Sequence, residues 1–197
     1  MIIRLVTLIS CLIMAAPLRG ELMDTKLRVL IDEQKIKNKI AEVAKEIESD
    51  YQNKDLVIVM VLKGALCIVA DLVREIQLPL NIEAVQCSSY GALGAKRGEL
   101  KIFGLDKINV HNRDVLIVDD VFDSGHTLSS LSQAIAKLKP NSLKTCVLLS
   151  KNVTRTVDIT PDYVLFDIDD DFVVGYGLDY KELYRGLPGI YVLENTL

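Results

Sequence analysis

Three acids stand close together in Asp119-Asp120-Val121-Phe122-Asp123, and Ser124, Gly125, His126 and Thr127 follow at once. Carboxylates at this density accept hydrogen bonds from sugar hydroxyls or supply oxygen ligands to a divalent cation. The hydroxyls of Ser124 and Thr127 donate, and so do the main-chain N–H groups around Gly125. Glycine permits a positive φ and a close approach of backbone to ligand. One short segment thus offers a phosphate cradle beside a place for a polyhydroxylated or metal-bound group. His126, next to that cradle, can make a phosphate contact sensitive to pH, and no catalytic role is assigned to it.

The flanking residues show what must position this loop. The run Val115-Leu116-Ile117-Val118 is branched and apolar, as suits a strand buried on both faces. From Leu128 to Leu138 the apolar residues follow helical spacing. A strand–loop–helix unit aims its free N–H groups at one point, at the positive end of the helix dipole. Similar units recur. Asp32 can cap a helix carrying Ile36, Ile40, Val43, Ala44 and Ile47 on one face. Leu56–Leu62 reads as a strand, Lys63-Gly64 interrupts it, and Ala65–Ile76 reads as a helix. Further strands are expected at Ile82–Ser89, Leu100–Phe103, Leu143–Leu149 and Tyr163–Ile168, with a glycine- and charge-containing loop from Tyr90 to Glu99. This alternation predicts an α/β fold with a doubly wound, mainly parallel sheet. Binding sites in such sheets lie beyond the carboxyl ends of the strands, where every motif here falls.

The segment Val115–Leu128 resembles the phosphoribosyl-pyrophosphate-binding motif of type I phosphoribosyltransferases: apolar strand, two acids, two apolar residues, Asp, Ser or Thr, Gly, any residue, Thr. A second segment, Phe172-Val173-Val174-Gly175-Tyr176-Gly177-Leu178-Asp179-Tyr180, resembles the purine-binding hood of hypoxanthine-guanine phosphoribosyltransferases. A phenylalanine such as Phe172 is ordinarily a core residue, but an aromatic ring can also stack on a planar heterocycle. The resemblance runs from about Leu27 to Leu193. It implies that fold, with a small hood over the active site, and purine salvage: transfer of phosphoribosyl from 5-phosphoribosyl 1-pyrophosphate to hypoxanthine, and to guanine.

The remaining roles come from the same resemblance. Lys63 and Gly64 match the pyrophosphate loop, where the peptide before the lysine is often cis. Ser89 and Tyr90 match the start of a catalytic lid, which excludes water. Asp119 and Asp120 would fix the ribose hydroxyls. Residues 123–127 (Asp123, Ser124, Gly125, His126, Thr127) would hold the 5′-phosphate, and Asp123 is the candidate general base. Lys151 and the Val173 backbone would read the purine edge, Phe172 would stack on it, and Arg185 would contact pyrophosphate. Mg²⁺ is implied, with Asp119, Asp120 and Asp179 as its ligands. A homodimer or homotetramer is implied as well. Asp171 departs from the lysine that some members carry over the purine.

Composition sets limits on the alternatives. Half of the 197 residues are hydrophobic, enough for a substantial core, and net charge is −4. That balance argues against a nucleic-acid or membrane-surface binder, which would show a basic face. Cys11, Cys67, Cys87 and Cys146 form no CxxC pair, so neither a zinc nor a redox site is suggested; the last three sit in apolar stretches and read as small core residues. Met1–Gly20 has the make-up of a secretory signal, with a poor cleavage region. We read residues 1–22 as an upstream extension of the true start, residues 23–197 as a single domain, and the location as cytoplasmic. Two other functions share parts of this pattern: a regulator that uses the loop to sense the sugar phosphate while binding RNA or DNA, and a phosphoribosyltransferase for another base such as xanthine or a pyrimidine. The acidic balance and the presence of both Lys63 and Arg185 disfavour the first, and the Phe172 segment the second.

Overall fold

The computed structural model describes residues 26–89, 100–155 and 157–194. In chain order these form β1 (Lys26–Ile31), α1 (Glu33–Tyr51), β2 (Leu56–Leu62), α2 (Leu66–Glu75), β3 (Leu80–Ser89), β4 (Leu100–Phe103), β5 (Asp114–Phe122), α3 (His126–Ala136), β6 (Ser142–Lys151), β7 (Tyr163–Ile168), β8 (Val173–Val174) and β9 (Ile190–Glu194). The leader and the loop from Tyr90 to Glu99 lie outside the described residues, as does any test of the N-terminal reading. No described helix is long and apolar enough to cross a membrane.

Six strands form one sheet in the order β4-β3-β2-β5-β6-β7, parallel except for β4. β2 is apolar at every position, and β5 is so from Val115 to Val118, because both faces are covered there. Alternate side chains belong to different cores. Leu56 and Ile58 of β2 and Leu116 and Val118 of β5 pack with α1 and α2. Val57, Val59, Val115 and Ile117 pack with Leu128, Leu131 and Ile135 of α3. Asp32 caps α1 as its position predicts: its carboxylate accepts from the Lys35 N–H at 2.9 Å. No helix lies between β6 and β7, so the strand–helix alternation stops there.

A second sheet, absent from the strand assignments above, is antiparallel with the order β1-β9-β8. It pairs Lys26 with Glu194 and Val173 with Val192, joining the two ends of the described chain. This is the hood. Ile31, Val173, Tyr176, Leu178, Ile190 and Val192 belong to the same buried cluster as α1 and α2. Hood and main sheet therefore share a core.

Candidate active site

All the parallel strands end on one edge, and β5 feeds the loop of residues 123–125 directly into α3. The helix starts at His126, two residues before the first apolar residue of its stripe, because Gly125 caps it in the left-handed conformation (φ 78°). A Cβ at Gly125 would sit 2.5 Å from Val157 Cγ2 and 3.0 Å from the Phe122 ring, so both conformation and space require glycine. In contrast to α1, no side chain caps α3 and no acid stands in its first turn. A helix N-terminus with no side-chain cap and no acid in its first turn suits an anionic acceptor. A cavity of about 150 Å³ lies against this end, lined by Asp123, Ser124, Gly125 and Thr127 among others. Asp123 is exposed in its wall, and His126 is exposed but lines neither this cavity nor the next.

Thr127 and Val121 also line a second cavity, of about 270 Å³, with Lys63, Gly64, Asp119, Asp120, Asp179 and Arg185. Strand alternation sends the two adjacent acids to different sides. Asp119 continues the α3 side and is 5% exposed. Burial, then the charge of Asp120, hold its carboxyl well above the usual range. Asp120 continues the other side and meets Gly64 so closely that a Cβ there would lie 1.6 Å from Asp120 Oδ2. The Leu62–Lys63 peptide is cis, as the resemblance implies. Cys87 packs against the core on the α3 side and also stands in the cavity wall; burial, then Asp119, push its thiol up to about 11, away from reactive thiolate.

The hood closes the cavity from above. A Cβ at Gly177 (φ 100°) would lie 2.2 Å from the Gly64 carbonyl oxygen, so the two loops touch backbone to backbone. Arg185 donates through Nη1 to the Gly177 carbonyl at 2.7 Å and through Nη2 to Asp179 Oδ1 at 2.6 Å. Its Nε is buried and finds no acceptor among the described residues. Lys63 Nζ pairs with Glu182 Oε2 at 2.9 Å. Lys63, then Arg185, hold the Glu182 carboxyl below its usual range. The cavity lining thus carries three carboxyl groups against two cations. Among the described residues no three His, Cys, Asp or Glu side chains converge on one metal position. The donor set still fits Mg²⁺, which is commonly held by one or two carboxylates, with phosphate oxygens and water completing the shell.

The residues assigned to the base lie to one side and line neither cavity. Lys151, at the end of β6, is 15% exposed and pairs with Asp170 Oδ1 at 2.9 Å. Phe172 is not a core residue: it is 52% exposed, its ring set edge-on to Tyr180 at 5.6 Å between centroids. Val173 is buried in β8. Ser89 ends β3, and Tyr90 falls outside the described residues. A larger cavity of about 560 Å³ runs beside Lys151, between Leu30 and Ile31 of β1 and Asp169 and Asp171 beyond β7.

Arg155 is a residue that sequence reasoning missed. Its guanidinium lies over the Phe122 ring at 4.3 Å. It donates to the Asp123 carbonyl at 2.9 Å, to Ser150 Oγ at 3.2 Å and to the Lys151 carbonyl. One side chain thereby ties the loop of residues 123–125 to the strand end that carries Lys151. No local signal marks it, since an arginine in an unpatterned loop reads as a surface residue. Glu182 and Asp170 were missed for the same reason.

A family model described as a phosphoribosyl transferase domain matches residues 30–181. The hypoxanthine-guanine phosphoribosyltransferase of Aquifex aeolicus is 41% identical over 89% of this chain and 99% of its own length. That of Bacillus subtilis is 44% identical over 85% of this chain and 93% of its own. Among solved structures, a hypoxanthine phosphoribosyltransferase from Staphylococcus aureus superposes with a TM-score of 0.80 at 41% identity, covering 85% of this chain and 91% of that one. With the β5–α3 loop, the glycine-sealed hood and these likenesses together, the chain belongs to the hypoxanthine-guanine phosphoribosyltransferase family.

Proposed function

We propose that this enzyme transfers the phosphoribosyl group of 5-phosphoribosyl 1-pyrophosphate to hypoxanthine, and to guanine, giving IMP or GMP and pyrophosphate. The observation that carries this reading is the cavity at the N-terminus of α3, where Gly125 is the cap and no side chain serves as one; it shares Thr127 and Val121 with a second cavity of carboxylates and two cations. A sugar with phosphate at one end and pyrophosphate at the other needs two anion sites flanking a site for hydroxyls.

In this reading the N–H groups and hydroxyls of residues 123–127 hold the 5′-phosphate, and Asp120 and Asp119 accept from the ribose hydroxyls. Lys63 and Arg185 receive the pyrophosphate. A purine ring nitrogen forms a bond to the anomeric carbon as the bond to pyrophosphate oxygen breaks, and Asp123 accepts the proton that the purine loses. Charge grows on the leaving group, so donors fixed beforehand lower the barrier. Asp119, Asp120 and Asp179 are the candidate holders of Mg²⁺, which when bound offsets the charge of the pyrophosphate. Phe172 supplies an exposed face for stacking, and Lys151 donates to the exocyclic oxygen of a 6-oxopurine.

The test is a turnover assay of the chain from Met23 with Mg²⁺, the activated sugar and a panel of bases. Nucleotide is expected with hypoxanthine, with guanine, and not with adenine. Asp123→Asn is expected to lower turnover roughly 10²–10⁴-fold, the range for loss of acid–base catalysis, with little change in affinity for the sugar. No product with any 6-oxopurine contradicts the function, and unaltered turnover in the variant removes Asp123 from the chemistry.

A further inference from the structure

We propose that Glu182 stands in for the leaving group in the ligand-free enzyme: its carboxylate bridges the two cations of the pyrophosphate subsite and is displaced when pyrophosphate enters. This rests on the assignment of Lys63 and Arg185 to that subsite. The bridge is made by a single atom, since Glu182 Oε2 lies 2.9 Å from Lys63 Nζ and 3.4 Å from Arg185 Nη2. One anionic oxygen between a lysine and an arginine is the contact that a phosphate oxygen would make there.

Three further features suit a displaceable contact and not a structural one. Glu182 is 65% exposed at its side chain, and ion pairs so exposed contribute little to stability. Its partner Lys63 belongs to another loop, 119 residues away, so the bridge links the hood to the pyrophosphate loop. The hood turn also holds Lys181 (φ 52°), Glu182 (φ 64°) and Tyr184 (φ 73°) in the left-handed region. L-residues occupy that region rarely, and such clusters are found where a site requires a particular orientation. Asp179 differs: it is 29% exposed, lies 2.6 Å from Arg185, and accepts the Glu182 N–H at 2.8 Å. Asp179 keeps Arg185 in place while Glu182 exchanges with the incoming anion.

The consequence is competition. Every pyrophosphate that binds must break two exposed ion pairs, and removing the carboxylate removes that cost. Calorimetric titration of the full chain with inorganic pyrophosphate and Mg²⁺ is expected to show about two- to thirtyfold tighter binding in Glu182→Gln than in the unaltered protein, the range for two exposed pairs. The difference is expected to shrink as salt is raised. Glu182→Gly, which suits the left-handed backbone and removes the carboxylate, is expected to give the same tightening even if the glutamine variant folds poorly. Unchanged or weakened affinity in either folded variant overturns the displacement. If the unaltered protein takes up no magnesium pyrophosphate at all, the subsite assignment fails and takes this inference with it. Uptake without tightening in the variants leaves the assignment standing and overturns only the inference.

Discussion

Asp119 is ionisable, buried at 5% exposure and adjacent to a second acid, so its charge is opposed twice. In metal-free buffer the folded chain keeps a proton on Asp119 at pH values where the unfolded chain has lost it. The stability tied to that proton is present at low pH and declines as pH rises above the ordinary carboxylate range. Asp119→Asn keeps an oxygen for the Asp120 N–H, which now donates to Asp119 Oδ1 at 2.9 Å, and removes the charge. Melting curves are expected to place the variant at least about 2–4 °C above the parent at pH 7, the shift that one kcal/mol gives in a chain of this size. The gap should close toward pH 4, and activity should fall. Equal melting temperatures at pH 7 contradict the burial argument. At Lys151 the ammonium pairs with Asp170 and is mostly shielded. Lys151→Ala is expected to weaken discrimination of hypoxanthine over adenine by roughly 10- to 100-fold, the worth of one charged hydrogen bond. Steady-state kinetics with both bases decide it, and intact exclusion of adenine counts against the role.

At the scale of elements, the difference between α1 and α3 separates structure from function. Asp32 caps the first turn of α1 with its side chain, whereas among the described residues no side chain caps α3 at the carboxyl end of β5. The Asp32 cap is readable in the sequence, because it depends on one residue beside an apolar stripe; for Gly125 a positive φ is readable but the start of α3 at His126 is not. The contact between Gly64 and Gly177 is not readable in that way. Each glycine sits inside a motif, but their touching depends on how far the hood descends onto α2. Gly177→Ala would drive a methyl group into the Gly64 carbonyl from a backbone at φ 100°. A loss of about 1–3 kcal/mol is expected from the strained backbone, together with at least a tenfold fall in kcat/KM as the hood lifts from the pyrophosphate loop. Thermal denaturation and kinetics on one preparation check both; parent-like kinetics contradict a sealing role for this contact.

Across the whole molecule, the hood is fastened to the main sheet by a few polar contacts over a shared apolar core. Tyr176 donates to Asp71 Oδ2 of α2 at 2.6 Å, and burial, then Asp71, push its phenol up so that it remains a donor. Tyr176→Phe is expected to cost about 1 kcal/mol and to raise KM for both substrates, since both meet under the hood; a change confined to one substrate contradicts that coupling. The two-faced strands, the Asp32 cap and the loops dense in polar residues were legible in the sequence, because each depends on residues adjacent in the chain. The sequence also placed those loops on one edge, since parallel strands leave no other arrangement. Tertiary structure alone decided that β1 pairs with β9, that Arg155 clasps the loop of residues 123–125, that Phe172 faces outward, and that Glu182 reaches Lys63. Those contacts join residues far apart in the chain, and no local periodicity encodes which partner a long charged side chain or a short edge strand meets once the sheets close.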